Sequence, residues 1–239
     1  MNIIKSVTVL ALCLSCGHLS AQETPFKLGV RLGGGISVTT GLDKILVPED
    51  YYSNYNFKDK WQFTPTVGVF AQYHVDGSII GVEGGFSYWQ KASQLVYNDN
   101  KELNYKVTPR YNYIGVSALL KIYPWRKGFN ISIGGRAGAN LNGKGISYES
   151  NQEESKFANY HFATVAETER LMKEKLTGQP DIAVGGGFGY EIDHHWAVDL
   201  RYFYGLNSTI KTEHNDYNWA EHATHGQNIE LSISYLFKL

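Results

Sequence analysis

The last twelve residues, NIELSISYLFKL (Asn228–Leu239), carry an apolar side chain at every second position from Ile229 onward. Glu230 and two serines fall between the apolar positions. A β-strand with this period has one apolar face and one polar face. In a soluble sandwich the apolar face points inward to the core, and in a membrane barrel it points outward to lipid. This stretch alone is compatible with both arrangements.

The same alternation recurs along the chain, in segments about as long as the roughly 9–11 residues of a tilted membrane strand. In each segment, one of the two faces is almost purely apolar or glycine. The eight segments are Phe26–Val38, Phe63–Val75, Ile80–Trp89, Tyr113–Tyr123, Phe129–Leu141, Ile182–Ile192, Trp196–Leu206 and Ile229–Leu239.

The connections between these segments alternate strictly between short and long. Three are short and contain Asp76-Gly77, Pro124–Gly128 and Asp193–His195. Four are long, and they are Thr39–Gln62, Gln90–Asn112, Asn142–Asp181 and Asn207–Asn228. Outer-membrane barrels have this pattern, with short periplasmic turns and longer outer loops. The third long loop is predicted to hold a short helix near Ser155–Leu176.

The charges separate the two faces. The polar face carries all the charges of the eight segments: Lys27, Arg31, Glu83, Lys121, Arg136, Glu191, Asp199, Arg201, Glu230 and Lys238. A basic residue facing lipid would cost about 2–4 kcal/mol at the membrane midplane. A sandwich core would exclude charge as well, but Tyr, Trp and Phe near the ends of the apolar faces are typical of membrane girdles. The predicted fold is therefore all-β, an eight-stranded antiparallel up-and-down transmembrane β-barrel.

The lumen of an eight-stranded barrel is just wide enough for side chains to fill it. Buried ions need partners of opposite charge. We therefore predict a salt-bridged polar plug, in which the three arginines of the inward face pair with Glu83, Glu191, Asp199 or Glu230. Such a lumen would be occluded.

The first residues predict export. Lys5, the apolar run Val7–Leu14 and the small residues Ser20 and Ala21 are typical of a cleaved secretory signal, which makes residues 1–21 a signal peptide and residues 22–239 the barrel domain. Both cysteines, Cys13 and Cys16, lie in the signal, and the residues before them fit a lipidation site poorly. The exported part therefore has no thiol for a disulfide or for thiolate chemistry.

No motif points to a catalytic residue, a cofactor or nucleic acid. The net charge is −1, without the basic excess that nucleic-acid binding requires. The glycine-rich Gly185–Tyr190 is followed by a strand and not by the helix of a nucleotide-binding loop.

Two polar clusters offer alternatives. The fourth long loop is rich in potential metal ligands, although a polar exposed loop is the favoured interpretation. The candidate ligands among its histidines and carboxylates are His214, Asp216, Glu221, His222 and His225. A lipid-modifying enzyme is a second alternative, on Ser147 or on Ser208 with Glu213 and His214, but no spacing singles out a nucleophile–base pair. We predict a structural or interaction protein, with no metal site.

The Ser20-Ala21-Gln22 processing site, the eight alternating strands, the glycine clusters and the final SYLFKL resemble small outer-membrane β-barrel proteins of the Bacteroidetes, in particular the PorT-like family. The resemblance implies an outer-membrane location, contact with outer-membrane lipid and a possible protein partner at the loops. It also implies recognition of Tyr235 and Phe237 by the barrel-assembly machinery. Leu239 at the last position departs from the aromatic that this signal favours. Some members of the family are linked to protein secretion.

Overall fold

The computed structural model describes residues 25–46, 57–98, 103–126, 128–152, 163–193, 195–213 and 219–238. The signal-peptide residues, His214 and Asp216 lie outside these ranges. The elements are β1 (Phe26–Thr40), α1 (Leu42–Leu46), β2 (Phe57–His74), β3 (Ile80–Asn98), β4 (Asn104–Ile122), β5 (Phe129–Asn140), β6 (Ile146–Ser150), α2 (Val165–Lys175), β7 (Leu176–Gly178), β8 (Asp181–Ile192), β9 (Trp196–Gly205), β10 (Ile210–Thr212) and β11 (His225–Lys238).

Eight of these strands close into a ring. The order around the ring is β1-β2-β3-β4-β5-β8-β9-β11, and every neighbouring pair is antiparallel. The ring is closed by β11 against β1, in a register that runs from Lys27↔Lys238 to Thr40↔His225. The predicted eight-stranded up-and-down barrel, with a short helix in the third long loop, is therefore confirmed. Among the described residues, no helix is both long and apolar enough to cross a membrane.

The two faces of the strands are oriented as a membrane barrel requires. On β11, Leu231 and Ile233 are more than half exposed, whereas Ser232 and Ser234 between them are 1% exposed. Leu32 on the neighbouring β1 is 71% exposed. The exposed apolar side chains form a belt around the barrel, and the polar side chains at the alternate positions fill the lumen.

Close packing inside the barrel explains part of the glycine content. The inward-facing Phe70 is 5% exposed, and its ring lies over Gly29 of the paired strand β1. A Cβ on Gly29 would come within 2.3 Å of the ring carbon Cζ. Glycine is required here because its missing side chain makes room for the aromatic ring. Gly77 has a different role, because its φ of 77° suits the predicted tight turn between β2 and β3.

Two of the four predicted long loops are wrong in extent. β3 continues to Asn98 and β4 already begins at Asn104, so most of the segment Gln90–Asn112 is a hairpin. Likewise, β2 begins at Phe57, inside the segment Thr39–Gln62. We call the outer parts of β2, β3 and β4, together with β6, the wall, because they extend beyond the apolar belt on one side of the barrel.

The sequence analysis did not predict the wall, because its strands turn their apolar face inward, whereas the same strands turn their apolar face outward within the belt. Within the belt, the inward positions of β3 include the polar Glu83 and the outward positions are apolar. Beyond the belt, the same inward parity carries Leu95, and on β4 it carries Val107 and Tyr111, all at most 1% exposed. A search for strands with an apolar outward face therefore stops near Trp89. The register of β2 also shifts between Trp61 and Thr66, which interrupts its alternation.

These inward apolar residues form a second core above the lumen. The wall, α1, α2, β7 and β10 pack around it, and we call this assembly the cap. The buried side chains of the cap core are Leu42, Ile45, Trp89, Leu95, Val107, Tyr111, Tyr113, Ile146, Tyr148, Met172, Leu176 and Ile210. The extracellular mouth of the barrel is thereby covered by folded protein.

Helix α2 closes one edge of the wall. It lies within the predicted Ser155–Leu176 helix, of which residues 153–162 are outside the described part of the chain. Its Glu169 accepts a hydrogen bond from the edge N–H of Tyr148 on β6, at 3.0 Å, and another from Lys173. The bond from Lys173, and then that from Tyr148, hold the pKa of Glu169 below its usual range. Glu169 therefore occupies a strand edge that would otherwise be open.

The cap core can be tested with two neighbouring residues of β3. Leu95 is 1% exposed in the core, whereas Val96 lies on the opposite face of the strand and is only half-buried. We expect Leu95→Ala to destabilise the cap by about 2–5 kcal/mol and Val96→Ala by less than about 1 kcal/mol. Hydrogen–deuterium exchange of the β3–β4 hairpin should accelerate at least about tenfold in the first variant only. Equal exchange in both variants would contradict a core at this position.

Candidate functional site

The candidate site is the charged interior of the barrel. Nine predicted lumen charges are at most 9% exposed in the structure, and they are Lys27, Arg31, Glu83, Lys121, Arg136, Glu191, Asp199, Arg201 and Glu230. They lie on seven of the eight strands of the ring, at positions that face the lumen. The side chain of the tenth, Lys238, lies outside the described atoms.

Glu83 on β3 is the centre of the network. Its carboxylate is 2.9 Å from Arg31 Nη2, 3.1 Å from Arg201 Nη1 and 3.1 Å from Lys121 Nζ. The three cations come from β1, β9 and β4, so one carboxylate links four strands of the ring. Asp199 supports it, with Oδ2 3.3 Å from Arg201 and 3.5 Å from Arg31.

A second group of contacts fills the periplasmic end. Glu191 Oε1 accepts hydrogen bonds from Tyr123 Oη at 2.6 Å and from Gln72 Nε2 at 2.7 Å. Its other oxygen is 3.4 Å from Lys27 Nζ. Lys121 joins this group to the centre, because its Nζ also donates to Gln72 Oε1 at 2.8 Å. The polar lumen is therefore continuous from the centre to the periplasmic mouth.

Asp181 organises the extracellular end. Its Oδ1 is 2.5 Å from Lys91 Nζ, and its Oδ2 accepts a hydrogen bond from Trp89 Nε1 at 3.0 Å. Arg136 Nε lies 3.4 Å from Asp181, and Arg136 Nη1 lies 3.6 Å from Glu230. This group sits directly below the cap core, in which Trp89 takes part.

Lys91 and Asp181 were not among the sequence-predicted charges. Both are about 3% exposed and belong to the inward parity of their strands. They fell one or two positions outside the predicted ends of those strands, Trp89 and Ile182. Both would have been predicted if each strand had been extended by two residues with the same alternation. Glu83 and Lys91, for example, are eight residues apart and therefore lie on one face of β3.

Aromatic rings fill the space between the ion pairs. The guanidinium of Arg31 lies 4.3 Å from the centre of the Phe70 ring. Arg136 lies 4.2 Å from the Phe203 ring and 4.7 Å from the Trp89 ring. Cations on ring faces keep part of their electrostatic stabilisation without water. The lumen is thus packed with side chains that neutralise one another.

The chemistry alternatives gain no support from the described geometry. The Ser208 hydroxyl donates to the Ile210 carbonyl at 2.8 Å and contacts Thr224, and Ser147 donates to the Thr108 carbonyl. These are backbone-directed contacts of a turn and a strand, not nucleophile–base pairs. Within the described residues, no group of three or more His, Cys, Asp or Glu could hold a metal ion. Two of the five potential ligands of the fourth loop, His214 and Asp216, lie outside them.

The residues of the predicted assembly signal lie on the outer surface at one end of the closing strand. The Tyr235 ring is 5.0 Å from the Trp196 ring and 4.9 Å from the Phe237 ring. His195 stacks on Tyr235 from the other side, with ring centres 5.9 Å apart. This aromatic cluster is at the end of the barrel where the three short turns lie, which is the periplasmic end by their length.

The Glu83 centre gives a direct stability prediction. Glu83→Gln removes the negative charge that three buried cations share, and the loss of one partner of a buried pair typically costs about 3–5 kcal/mol. The matched control is Glu174→Gln, because Glu174 is half-exposed and pairs with Arg170 on the surface. Its expected cost is about 0.5 kcal/mol or less. Urea unfolding of the folded protein in detergent micelles measures both, and similar midpoints for the two variants would contradict a coupled plug.

Comparison with known proteins agrees with this architecture. The family model described as "Outer membrane protein beta-barrel domain" matches residues 9–237. A search of curated proteins gave no significant match.

Solved structures give only remote matches. Neisserial surface protein A is 9% identical over 90% of this chain and 98% of its own, with a TM-score of 0.39. Ail of Yersinia pestis is 11% identical over 90% and 100%, with a TM-score of 0.39. OprG of Pseudomonas aeruginosa is 14% identical over 93% and 100%, also with a TM-score of 0.39. These values are too low to transfer any activity. The family match covers nearly the whole chain, and the protein therefore belongs to the outer-membrane protein β-barrel domain family and is an outer-membrane β-barrel.

Proposed function

We propose that this protein is a non-conducting membrane anchor that presents a folded extracellular cap and its loops to ligands or protein partners. The observation that carries the proposal is the closed lumen. The Glu83 centre occupies the middle of the barrel, and Glu191 and Asp181 continue the packing toward the two mouths. A solute would have to break several buried ion pairs to pass.

The cap supports an interaction role. The outer part of this barrel is built as a folded unit, with its own apolar core and a helix hydrogen-bonded to the wall. A rigid surface loses little conformational entropy on binding, which favours recognition. The two longest strands, β3 and β4, span 19 residues each, whereas β9 spans 10, so the surface is raised on one side.

Conductance across a planar lipid bilayer tests the closed lumen. We expect the purified, folded protein to insert without producing steady current steps, because ion-paired side chains that are at most 9% exposed fill the lumen. A heat-dependent shift in gel mobility of the unboiled sample serves as the control for folding. Reproducible open-channel steps from correctly folded protein would refute the anchor function and indicate a pore.

We propose export by a cleaved signal peptide, residues 1–21, and insertion by the barrel-assembly machinery acting on Tyr235 and Phe237. Support comes from the position of these rings on β11, the strand that closes the ring against both β1 and β9. Replacement of Phe237 by Ala should reduce the amount of folded barrel in the outer membrane, and an unchanged amount would count against this signal.

Two alternatives remain distinct from the anchor. A PorT-like role as a secretion accessory rests on the resemblance of the processing site and the terminal strand to that Bacteroidetes family. A lipid-modifying enzyme would need a nucleophile that Ser208, with its hydroxyl turned to the backbone, does not offer. Loss of secreted proteins in a deletion strain would favour the first, and altered acylation of the outer-leaflet lipid would favour the second.

A further inference from the structure

The outward face of the wall is basic. Four cationic side chains, Lys58 and Lys60 on β2 and Lys106 and Arg110 on β4, project from it, and all four are exposed. We call this set the basic wall face. The opposite face of β4 packs into the apolar cap core, and Phe57 of β2 packs against that core. Asp59, between the two lysines of β2, pairs with the inward-facing Leu95 and so lies on the opposite face. The four cations lie on the two strands that flank β3, and not along a single loop.

The strand register fixes how close these charges lie. Lys58 pairs with Val96, and Val96 pairs with Lys106, so the two lysines stand in one row across three strands. Strands are spaced about 4.8 Å apart, which puts the two Cα atoms about 10 Å from each other. Lys60 and Arg110 occupy the adjacent rows nearer the belt, opposite Gln94 and Ala92 of β3. This spacing suits a ligand that carries more than one anionic group.

The basic wall face begins where the apolar belt ends. Ile114 on β4 belongs to the belt parity, and Arg110 lies four residues further out on the same face of that strand. At about 3.4 Å per residue and a tilt of about 40°, Arg110 is raised about 10 Å above Ile114 along the membrane normal. That height corresponds to the headgroup layer of the outer leaflet.

Arg110 is held toward the membrane. Its Nη1 donates to Gln90 Oε1 at 3.1 Å and to the Phe63 carbonyl at 3.4 Å. The Phe63 ring itself is 65% exposed and belongs to the belt. The guanidinium therefore lies over the outer rim of the belt, and its other N–H groups can donate to a phosphate.

The face has a surplus of positive charge. The only acidic side chain of the described wall on this side is Glu149, and it is 3.4 Å from Lys106. Lys58, Lys60 and Arg110 have no acidic partner among the described residues. Like charges on one face of a sheet repel one another, and a polyanionic ligand removes that cost.

We propose that the basic wall face binds the phosphate groups of phosphorylated glycolipids in the outer leaflet. The location of the basic wall face favours a lipid phosphate over a free one, because the face is flat, open and continuous with the lipid-facing belt. A flat surface holds a free anion weakly, whereas a lipid is confined beside it by its own acyl chains. The lipid then contacts the belt with its chains and the basic wall face with its headgroup, which fixes the orientation and depth of the barrel.

The test uses the folded full-length exported chain in detergent micelles. The probes are purified diphosphorylated lipid A, the same lipid after removal of its phosphates, and a water-soluble sugar phosphate, each counted on the protein by native mass spectrometry. The variant is K58Q/K60Q/R110Q, which leaves the Lys106–Glu149 pair in place. The matched control is K144Q/R170Q/K211Q, which removes three exposed cations from other parts of the cap. Gel mobility of unboiled samples verifies that both variants are folded.

We expect the wild type to retain the diphosphorylated lipid and to bind the dephosphorylated one far less. Each removed charge should weaken retention about fivefold, or about a hundredfold for the triple variant, and the control should stay within about threefold of the wild type. The comparison of the two lipids uses the wild type alone, so it decides even if the variant does not fold. Equal retention of both lipids, equal binding of the soluble sugar phosphate, or an equal loss in the control would overturn the proposal.

Discussion

The structure depends on the burial of one carboxylate, that of Glu83, among three cations from three other strands. Removing four charged groups from water is costly, and only close pairing of opposite charges offsets that cost. The contacts at 2.9–3.1 Å to Arg31, Arg201 and Lys121 provide the pairing. They also join β1 and β9 through the lumen to the adjacent strands β3 and β4, and the closed ring in its observed register brings these four strands together. The ion pairs therefore stabilise the closed ring, and the closed ring brings the paired charges together.

The polarity of the interior changes along the barrel axis. Charged groups occupy the lumen as far as Lys91 and Asp181, and above them the inward side chains Leu95, Val107 and Tyr111 belong to an apolar core. Trp89 lies at the boundary, where its indole N–H donates to Asp181 while its ring packs in the cap core. The outer face changes in the opposite sense, from the apolar belt to the basic wall face. Within the membrane, the strands therefore face lipid on the outside and ion pairs on the inside. Beyond the membrane, the inner face of the same strands packs in a protein core.

How far the sequence predicts this structure can be seen on single residues. The alternation in β11 and the charges from Lys27 to Glu230 predicted the ring and the inward face, because a period of two reads directly as two faces. The wall was missed because Leu95 and Val107 continue the strands with the opposite apolar direction. Lys91 and Asp181 were not predicted as lumen charges, because the predicted strands ended at Trp89 and began at Ile182. The partners of each ion, such as Lys121 on Glu83, depend on register and tilt, which a single sequence does not give.

Glu83 and its cations form one coupled network, and a double-mutant cycle measures that coupling directly. The free energies of unfolding of the wild type, Glu83→Gln, Arg201→Gln and the double variant are determined in the same detergent. If the network is coupled, the double variant loses much less stability than the two single variants together, with a coupling energy of about 2–3 kcal/mol. Additive losses, with a coupling energy below about 0.5 kcal/mol, would show that the two side chains act independently and would contradict a coupled network.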